Sequence, residues 1–352
     1  MSASSISSFD GPAALDRPGT RESEAASEIG GAGNPARRFL LKGVLLATLF
    51  YGVTLLASFI FSKTCDWRRW QDPRKRLLYG RVPENSRIIL LGDSIWTSSY
   101  VKSEQESLWC VMEQLAGEPV FNATLNGADP PDFLNAVKLL PQSRRPGVVF
   151  LDVVPTRLLR RTFIEQARGN YAADFSRLAA DNWVGEVMNQ LRKPLLVWNT
   201  EIVLNCLLHK RHFSVGDDRE RTWSRDGDFA LKRFRTFERL LVDTDDLRPA
   251  DWLRDLRLKL DAKGYRLVVV VTPVNRFLIQ CYATAEKARL YEARIDRART
   301  GLIRFMQTNG ISYVDCSEDC DSDCFADLIH TNVHGDRRVA MRMAEYLKSL
   351  RN

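Results

Sequence analysis

Short apolar runs alternate with longer segments of helical spacing along most of this chain, and this alternation limits the possible folds. The clearest run is YRLVVVV at 265–271. Continuous apolar runs of this length are typical of parallel strands buried on both faces. Strands that alternate with helices predict an α/β fold of three layers, with a mostly parallel sheet between helices. The predicted strands are 87–91, 119–122, 147–154, 265–271 and 311–315, and the predicted helices are 103–116, 130–140, 251–262, 285–309 and 336–349.

The first sixty residues do not follow this pattern. Residues 1–36 are rich in Ser, Ala, Gly and Glu, a composition that favours disorder. The twenty residues at 43–62 carry no charge, and a helix of that length spans about 30 Å, the thickness of a bilayer core. The predicted organisation is a disordered tail at 1–36, a transmembrane anchor at 39–62, a basic juxtamembrane connector at 63–85 and an α/β domain at 86–352, with a helical insertion at about 156–248.

Charged residues give opposing indications of the side of the membrane on which the domain lies. Three cations precede the uncharged run and seven follow it within twenty residues, which favours the cytoplasm. The pair Arg37–Arg38 before an apolar stretch resembles a twin-arginine export signal instead. The net charge of +7 is modest, and much of the basic surplus lies beside the predicted anchor. We therefore predict no nucleic-acid partner.

Three cysteines, Cys316, Cys320 and Cys324, are crowded into the segment CSEDCDSDC. The cluster lacks a fourth ligand and a CxxC knuckle, so we predict no metal site there. Outside the cytoplasm such thiols are expected to form a disulfide, and three pairings are possible within the cluster. This expectation favours an extracytoplasmic catalytic domain at the cell membrane.

Reactive side chains follow the predicted strands at the edge where open α/β sheets bind their ligands. Ser94 comes directly after the first strand, and Asp327 and His330 precede the last helix. A serine hydroxyl needs a base to take its proton, and a histidine base needs an acceptor to fix its tautomer. The sequence therefore predicts a triad of Ser94, His330 and Asp327.

Loops after two other strands contain candidate binding residues. Asn126 and Gly127 follow the second strand, and Asn275 follows the strand at 265–271. The negative charge that develops on a tetrahedral intermediate needs backbone N–H donors, for which the amides of Gly127 and Ser94 are candidates. We predict no cofactor.

Over about 86–352 the chain resembles the SGNH, or GDSL-type, hydrolases. Gly92-Asp93-Ser94 matches the first block of that family, and Asp327-Leu-Ile-His330 matches the last. The resemblance implies a flavodoxin-like three-layer fold, Ser94 as nucleophile, His330 as base and Asp327 as its orienting acid. Gly127 matches the second-block glycine of the oxyanion hole. The third block, Gly-x-Asn-Asp, is absent, and the strand runs into 152–157 (DVVPTR) instead.

A narrower resemblance is to the DltD-type proteins of teichoic-acid D-alanylation and to envelope proteins that work beside membrane-bound O-acyltransferases. It rests on the N-terminal anchor, the Pro-Val-Asn at 273–275, a proline in place of the third block and the helical insertion. It implies an acylated glycan or lipid-linked polymer and an acyltransferase as partners. The resulting prediction is a membrane-anchored serine esterase or O-acyltransferase acting on envelope acyl esters.

Two alternatives stay open at this point. The missing third block is also compatible with a catalytically silent scaffold that binds polymer or docks an acyltransferase. If the excess of cations after the anchor determines the topology, the domain would be a cytoplasm-facing lipase or thioesterase.

Overall fold

The computed structural model describes residues 35–64, 86–96, 104–125, 127–158, 227–242 and 250–350. The strands are β1 (Ile88–Leu91), β2 (Val120–Asn122), β3 (Gly147–Val153), β4 (Tyr265–Val271) and β5 (Ser312–Asp315). The helices are α1 (Pro35–Thr64), α2 (Leu108–Ala116), α3 (Pro130–Leu139), α4 (Pro155–Leu158), α5 (Gly227–Val242), α6 (Asp251–Asp261), α7 (Arg276–Tyr282), α8 (Ala285–Thr308) and α9 (Val333–Ser349). Short 3₁₀ turns cover Ser94–Trp96, Glu104–Glu106 and Ser322–Cys324.

The five strands form one parallel sheet in the order β2-β1-β3-β4-β5. The longest pairing joins β3 to β4, from Gly147 opposite Tyr265 to Val153 opposite Val271. Each predicted strand is present, and the predicted α/β class with a parallel sheet is confirmed. Because all strands run the same way, their carboxyl ends share one edge, and the loops that follow β1, β3 and β4 begin there.

Apolar side chains of the sheet alternate between two cores, as the two-residue period of a strand requires. Ile88 and Leu90 belong to one core, and Ile89 and Leu91 belong to the other. The first core includes apolar residues of α2, α5, α7 and α9, whereas the second includes those of α3 and α6. Helices therefore cover both faces, which explains why the strands are apolar along almost their whole length.

Helix α1 contains the uncharged run at 43–62 and continues to Thr64. Among the residues that the structure describes, no helix is both long enough and apolar enough to cross a membrane. The transmembrane helix predicted at 39–62 is therefore not confirmed. Most of the predicted tail and connector, residues 1–34 and 65–85, lies outside the described residues.

The predicted helical insertion at about 156–248 is described only in part. Its first residues belong to α4, which begins at Pro155 directly after β3, and α5 occupies 227–242. Both described portions are helical, and the remainder of the insertion lies outside the described residues, so the insertion as a whole stays a prediction. Helix α5 packs into the first core through Ala230, Phe234 and Leu241, and it is the part of the insertion that reaches the candidate site.

Candidate active site

The structure brings together the three residues of the predicted triad. Ser94 begins the 3₁₀ turn after β1, and Asp327 and His330 lie in the loop before α9. The Oγ of Ser94 is 3.0 Å from Nε2 of His330, and Nδ1 of His330 is 2.9 Å from each carboxylate oxygen of Asp327. A neutral imidazole with its proton on Nδ1 donates to the carboxylate and leaves Nε2 free to accept from Ser94. This is the geometry that general-base activation of a serine requires.

The Asp327 carboxylate is fully buried and accepts several hydrogen bonds. Its Oδ1 accepts from the backbone N–H groups of Ile329 at 3.0 Å and His330 at 2.9 Å, and its Oδ2 accepts from Nε of Arg233 at 2.8 Å. Burial alone would raise the pKa of Asp327. Interactions with His330 and Arg233 outweigh burial and hold this pKa below its usual range, so the carboxylate is ionised and available as an acceptor.

The turn that carries the nucleophile is fixed by two aspartates. The Oδ1 of Asp93 accepts from the N–H of Ile95 at 2.9 Å, and the N–H of Asp93 donates to Oδ1 of Asp152 at 2.9 Å. Burial raises the pKa of Asp152 well above its usual value, because burial disfavours the charged form of a carboxyl. Its Oδ2 finds no hydrogen-bond partner among the described residues. Asp152, in β3, thus supports the nucleophile turn from the strand that neighbours β1.

Gly92 is required at this turn for space, because its Cα faces the Asp152 carboxyl. A Cβ built on Gly92 would contact Oδ1 of Asp152, lie 2.8 Å from its Cγ and lie 3.1 Å from Cε3 of Trp96. Both of these side chains are buried and cannot move aside cheaply.

We expect Gly92→Ala to lower the free energy of unfolding by about 1–3 kcal/mol, as overpacking of a close-packed core does. The matched control is Gly301→Ala in α8, where a Cβ would meet nothing within 4 Å. It should raise stability by about 0.5–1 kcal/mol, since alanine replaces glycine within a helix. Urea unfolding of both variants measures the difference, and equal stabilities would show that Gly92 is not constrained by Asp152.

Asn275, predicted as an oxyanion or binding residue, is the N-cap of α7. Its Oδ1 accepts from the N–H of Leu278 at 3.0 Å, while its Nδ2 donates to the backbone oxygen of Asp327 at 3.3 Å. Its own N–H donates to the backbone oxygen of Leu328 at 2.9 Å. These contacts make Asn275 a support for the loop that carries the acid and the base.

The loop after β2 lies beside the nucleophile turn, because the N–H of Leu125 donates to the backbone oxygen of Gly92 at 2.7 Å. Gly127 has φ of 73°, a left-handed conformation that favours glycine. Asn126 lies outside the described residues. The oxyanion role of the Gly127 and Ser94 amides stays a prediction.

The clustered cysteines do not form the expected disulfide in this structure. Cys316, Cys320 and Cys324 carry free thiols, and burial raises the pKa of the Cys316 and Cys320 thiols. No group of His, Cys, Asp and Glu side chains within the described ranges is arranged to hold a metal ion. The three thiols therefore give no structural indication of an oxidising compartment.

Arg233 is a residue of the site that the sequence did not predict. Its guanidinium donates a hydrogen bond to the carboxylate of Asp327. The signal that was present is the spacing of Phe229, Arg233 and Phe237, which places one cation and two aromatic rings on the same face of a helix. This spacing does not indicate that Arg233 contacts Asp327, since Arg233 and Asp327 are 94 positions apart.

No family model and no curated protein matches the chain. Similar solved structures include a candidate SGNH hydrolase from Slackia heliotrinireducens, with 12% identity and a TM-score of 0.35, over 74% of this chain and 98% of that one. A carbohydrate acetylesterase from Sinorhizobium meliloti has 13% identity and a TM-score of 0.35, over 75% and 100%. An extracellular lipase from Streptomyces rimosus has 10% identity and a TM-score of 0.33, over 74% and 98%. At these identities and TM-scores the matches carry no argument about function, so the resemblance to SGNH hydrolases stays a prediction from the sequence, and the chemistry rests on the geometry of the site alone.

Proposed function

We propose that this protein is a serine-dependent ester hydrolase or acyltransferase. The observation that carries the proposal is the unbroken chain of contacts from the Ser94 hydroxyl through His330 to the buried Asp327 carboxylate. An ester carbonyl placed above Ser94 would be attacked by Oγ while Nε2 of His330 takes the proton.

The reaction then proceeds in two halves. Collapse of the tetrahedral intermediate breaks the bond between the carbonyl carbon and the alkoxy oxygen, and His330 returns its proton to that oxygen as the alcohol leaves. The acyl group is then held on Ser94. In the second half a water or an acceptor hydroxyl gives its proton to His330 and attacks the acyl carbon, and the proton finally returns to Ser94. Water as acceptor makes the protein an esterase, and an alcohol makes it an acyltransferase.

A small acyl group on a cell-envelope glycan or lipid-linked polymer is the substrate class that we propose. The looser family resemblance supports it. A membrane-bound O-acyltransferase is the proposed partner. Release of acetate from acetylated polysaccharides, compared with release of fatty acids from triglycerides, tests the class, and addition of an unacylated oligosaccharide acceptor separates transfer from hydrolysis.

An extracytoplasmic location also stays a proposal, supported by the twin-arginine pair at 37–38. A reporter that is active in a single compartment, fused after Asn352, would decide the side on which the domain lies. Reporter activity in the cytoplasm would contradict the envelope substrate.

Labelling with a fluorophosphonate probe tests the proposed mechanism most directly. We expect the wild-type protein to be labelled at a single residue, Ser94, as identified by mass spectrometry of the modified peptide. Ser94→Ala should abolish labelling, and the control Ser349→Ala, near the end of α9, should not change it. An unlabelled wild type, or labelling that survives Ser94→Ala, would favour the silent scaffold instead.

A further inference from the structure

Helix α5 places a cation between two aromatic rings on the side of the helix that faces the catalytic loop. The Cζ of Arg233 is 4.4 Å from the ring centroid of Phe237 and 6.0 Å from that of Phe229. Such contacts attract a guanidinium and restrict its side-chain rotamers. The ring of Phe237 also packs against the imidazole of His330, with centroids 5.5 Å apart.

The guanidinium contacts both members of the acid–base pair. Nε of Arg233 donates to Oδ2 of Asp327 at 2.8 Å, and one terminal nitrogen lies 3.4 Å from Nδ1 of His330. The Arg233 side chain is 27% exposed, whereas that of Asp327 is completely buried. A partly buried ion pair of this kind is screened by solvent less than a surface pair.

A fixed positive charge at this position opposes a second positive charge on the neighbouring imidazole. Among the residues that the structure describes, the titratable groups that interact with the imidazole include Asp327 in its own loop and Asp336 of α9. Burial raises the pKa of Asp336 to about 7, so this carboxyl is largely neutral in acidic solution. Below pH 7 the net charge around the His330 imidazole therefore depends mainly on the Asp327 carboxylate and the Arg233 guanidinium.

We propose that Arg233 is a positioning residue that holds the Asp327 carboxylate in place and opposes a positive charge on the imidazole of His330. The proposal rests on the proposed esterase function. In this arrangement α5, part of a chain segment inserted between β3 and β4, supplies a fourth side chain to the catalytic apparatus.

The experiment compares kcat and KM between pH 4.5 and 9.5 for the wild type and for Arg233→Met, Arg233→Lys and Arg235→Met. Arg233→Met removes the charge but keeps an unbranched side chain, and Arg235→Met makes the same change at an exposed position of the same helix. Arg233→Gln, which keeps a hydrogen-bonding group, replaces the methionine variant if that variant does not fold, as judged by thermal unfolding.

We expect the acidic limb of kcat/KM to move to higher pH by about one unit in Arg233→Met, the lower end of the shift that a neighbouring charge produces. At pH values below the limb, kcat/KM should fall about tenfold, while the alkaline plateau should change by less than about threefold. Arg233→Lys keeps the charge and should shift the limb by less than half as much. Arg235→Met should match the wild type.

A merely structural role of Arg233 would lower activity by the same factor at every pH and leave the limb in place, which would overturn the proposal. An equal shift in Arg235→Met would overturn it as well, because the effect would then come from the overall charge of α5. The rate of fluorophosphonate labelling should show the same shift without any ester substrate. A wild type that shows neither labelling nor activity would refute the esterase function itself. An active wild type whose acidic limb is not shifted by Arg233→Met would refute only the role of Arg233.

Discussion

His330→Ala is expected to lower the kcat of ester hydrolysis by about 10⁴- to 10⁶-fold, the range found when a member of a serine triad is removed. Nε2 of His330 lies 3.0 Å from the Ser94 Oγ and is the base that can take its proton. Without it the hydroxyl stays protonated and is a poor nucleophile at neutral pH. The measurement is steady-state hydrolysis of a chromogenic acetyl ester, with circular dichroism to show that the variant is folded.

His334→Ala is the matched control, because His334 is exposed in the first turn of α9. It should keep activity within about twofold of the wild type, as is typical of surface substitutions that remove little packing. Loss of activity in His334→Ala equal to that in His330→Ala would mean that the loop, rather than the imidazole, is what the reaction requires.

Asp327→Asn is expected to lower kcat by about 10⁴-fold, as the same change does in a serine protease triad. The Asn side chain presents an N–H₂ group where the carboxylate accepts from Nδ1 of His330 at 2.9 Å. The imidazole must then carry its proton on Nε2 and can no longer accept one from Ser94. The substitution also replaces the charged partner of Arg233 by a neutral amide.

The control for this prediction is Asp323→Asn, an exposed aspartate four residues earlier in the same loop region. It should leave kcat within about twofold of the wild type. An Asp327→Asn variant that retained a tenth or more of wild-type kcat would show that the carboxylate does not orient the base. The silent-scaffold alternative would then gain support.

Much of the fold could be predicted because its signals are local. The apolar runs that form β3 and β4 can be recognised without knowing their neighbours, and parallel strands necessarily end at one edge. That rule is enough to place Ser94 and the loop of His330 together, although 236 positions separate them. Helix boundaries were less accurate, since α9 begins at Val333, after the Asn332 cap, rather than at the predicted residue 336.

Features that depend on long-range packing could not be predicted. The contact of Arg233 with Asp327 requires the path of the inserted segment, which no local pattern specifies. The support that Asp152 gives to Asp93 could not be predicted, because nothing in an apolar strand indicates which backbone N–H group its carboxyl contacts. The disulfide expected in the cysteine cluster depended on crowding in sequence, which does not determine how the thiols are placed in space.

Ser94 and His330 are in contact in the fold although they are far apart along the chain, and this has a consequence for fragments of the protein. A fragment that ends before residue 330 contains the serine without the imidazole, and a fragment that begins after residue 94 contains the imidazole without the serine. Under the proposed function we therefore expect neither fragment to hydrolyse esters alone, whereas two complementary fragments that reassemble into one folded molecule would restore the site.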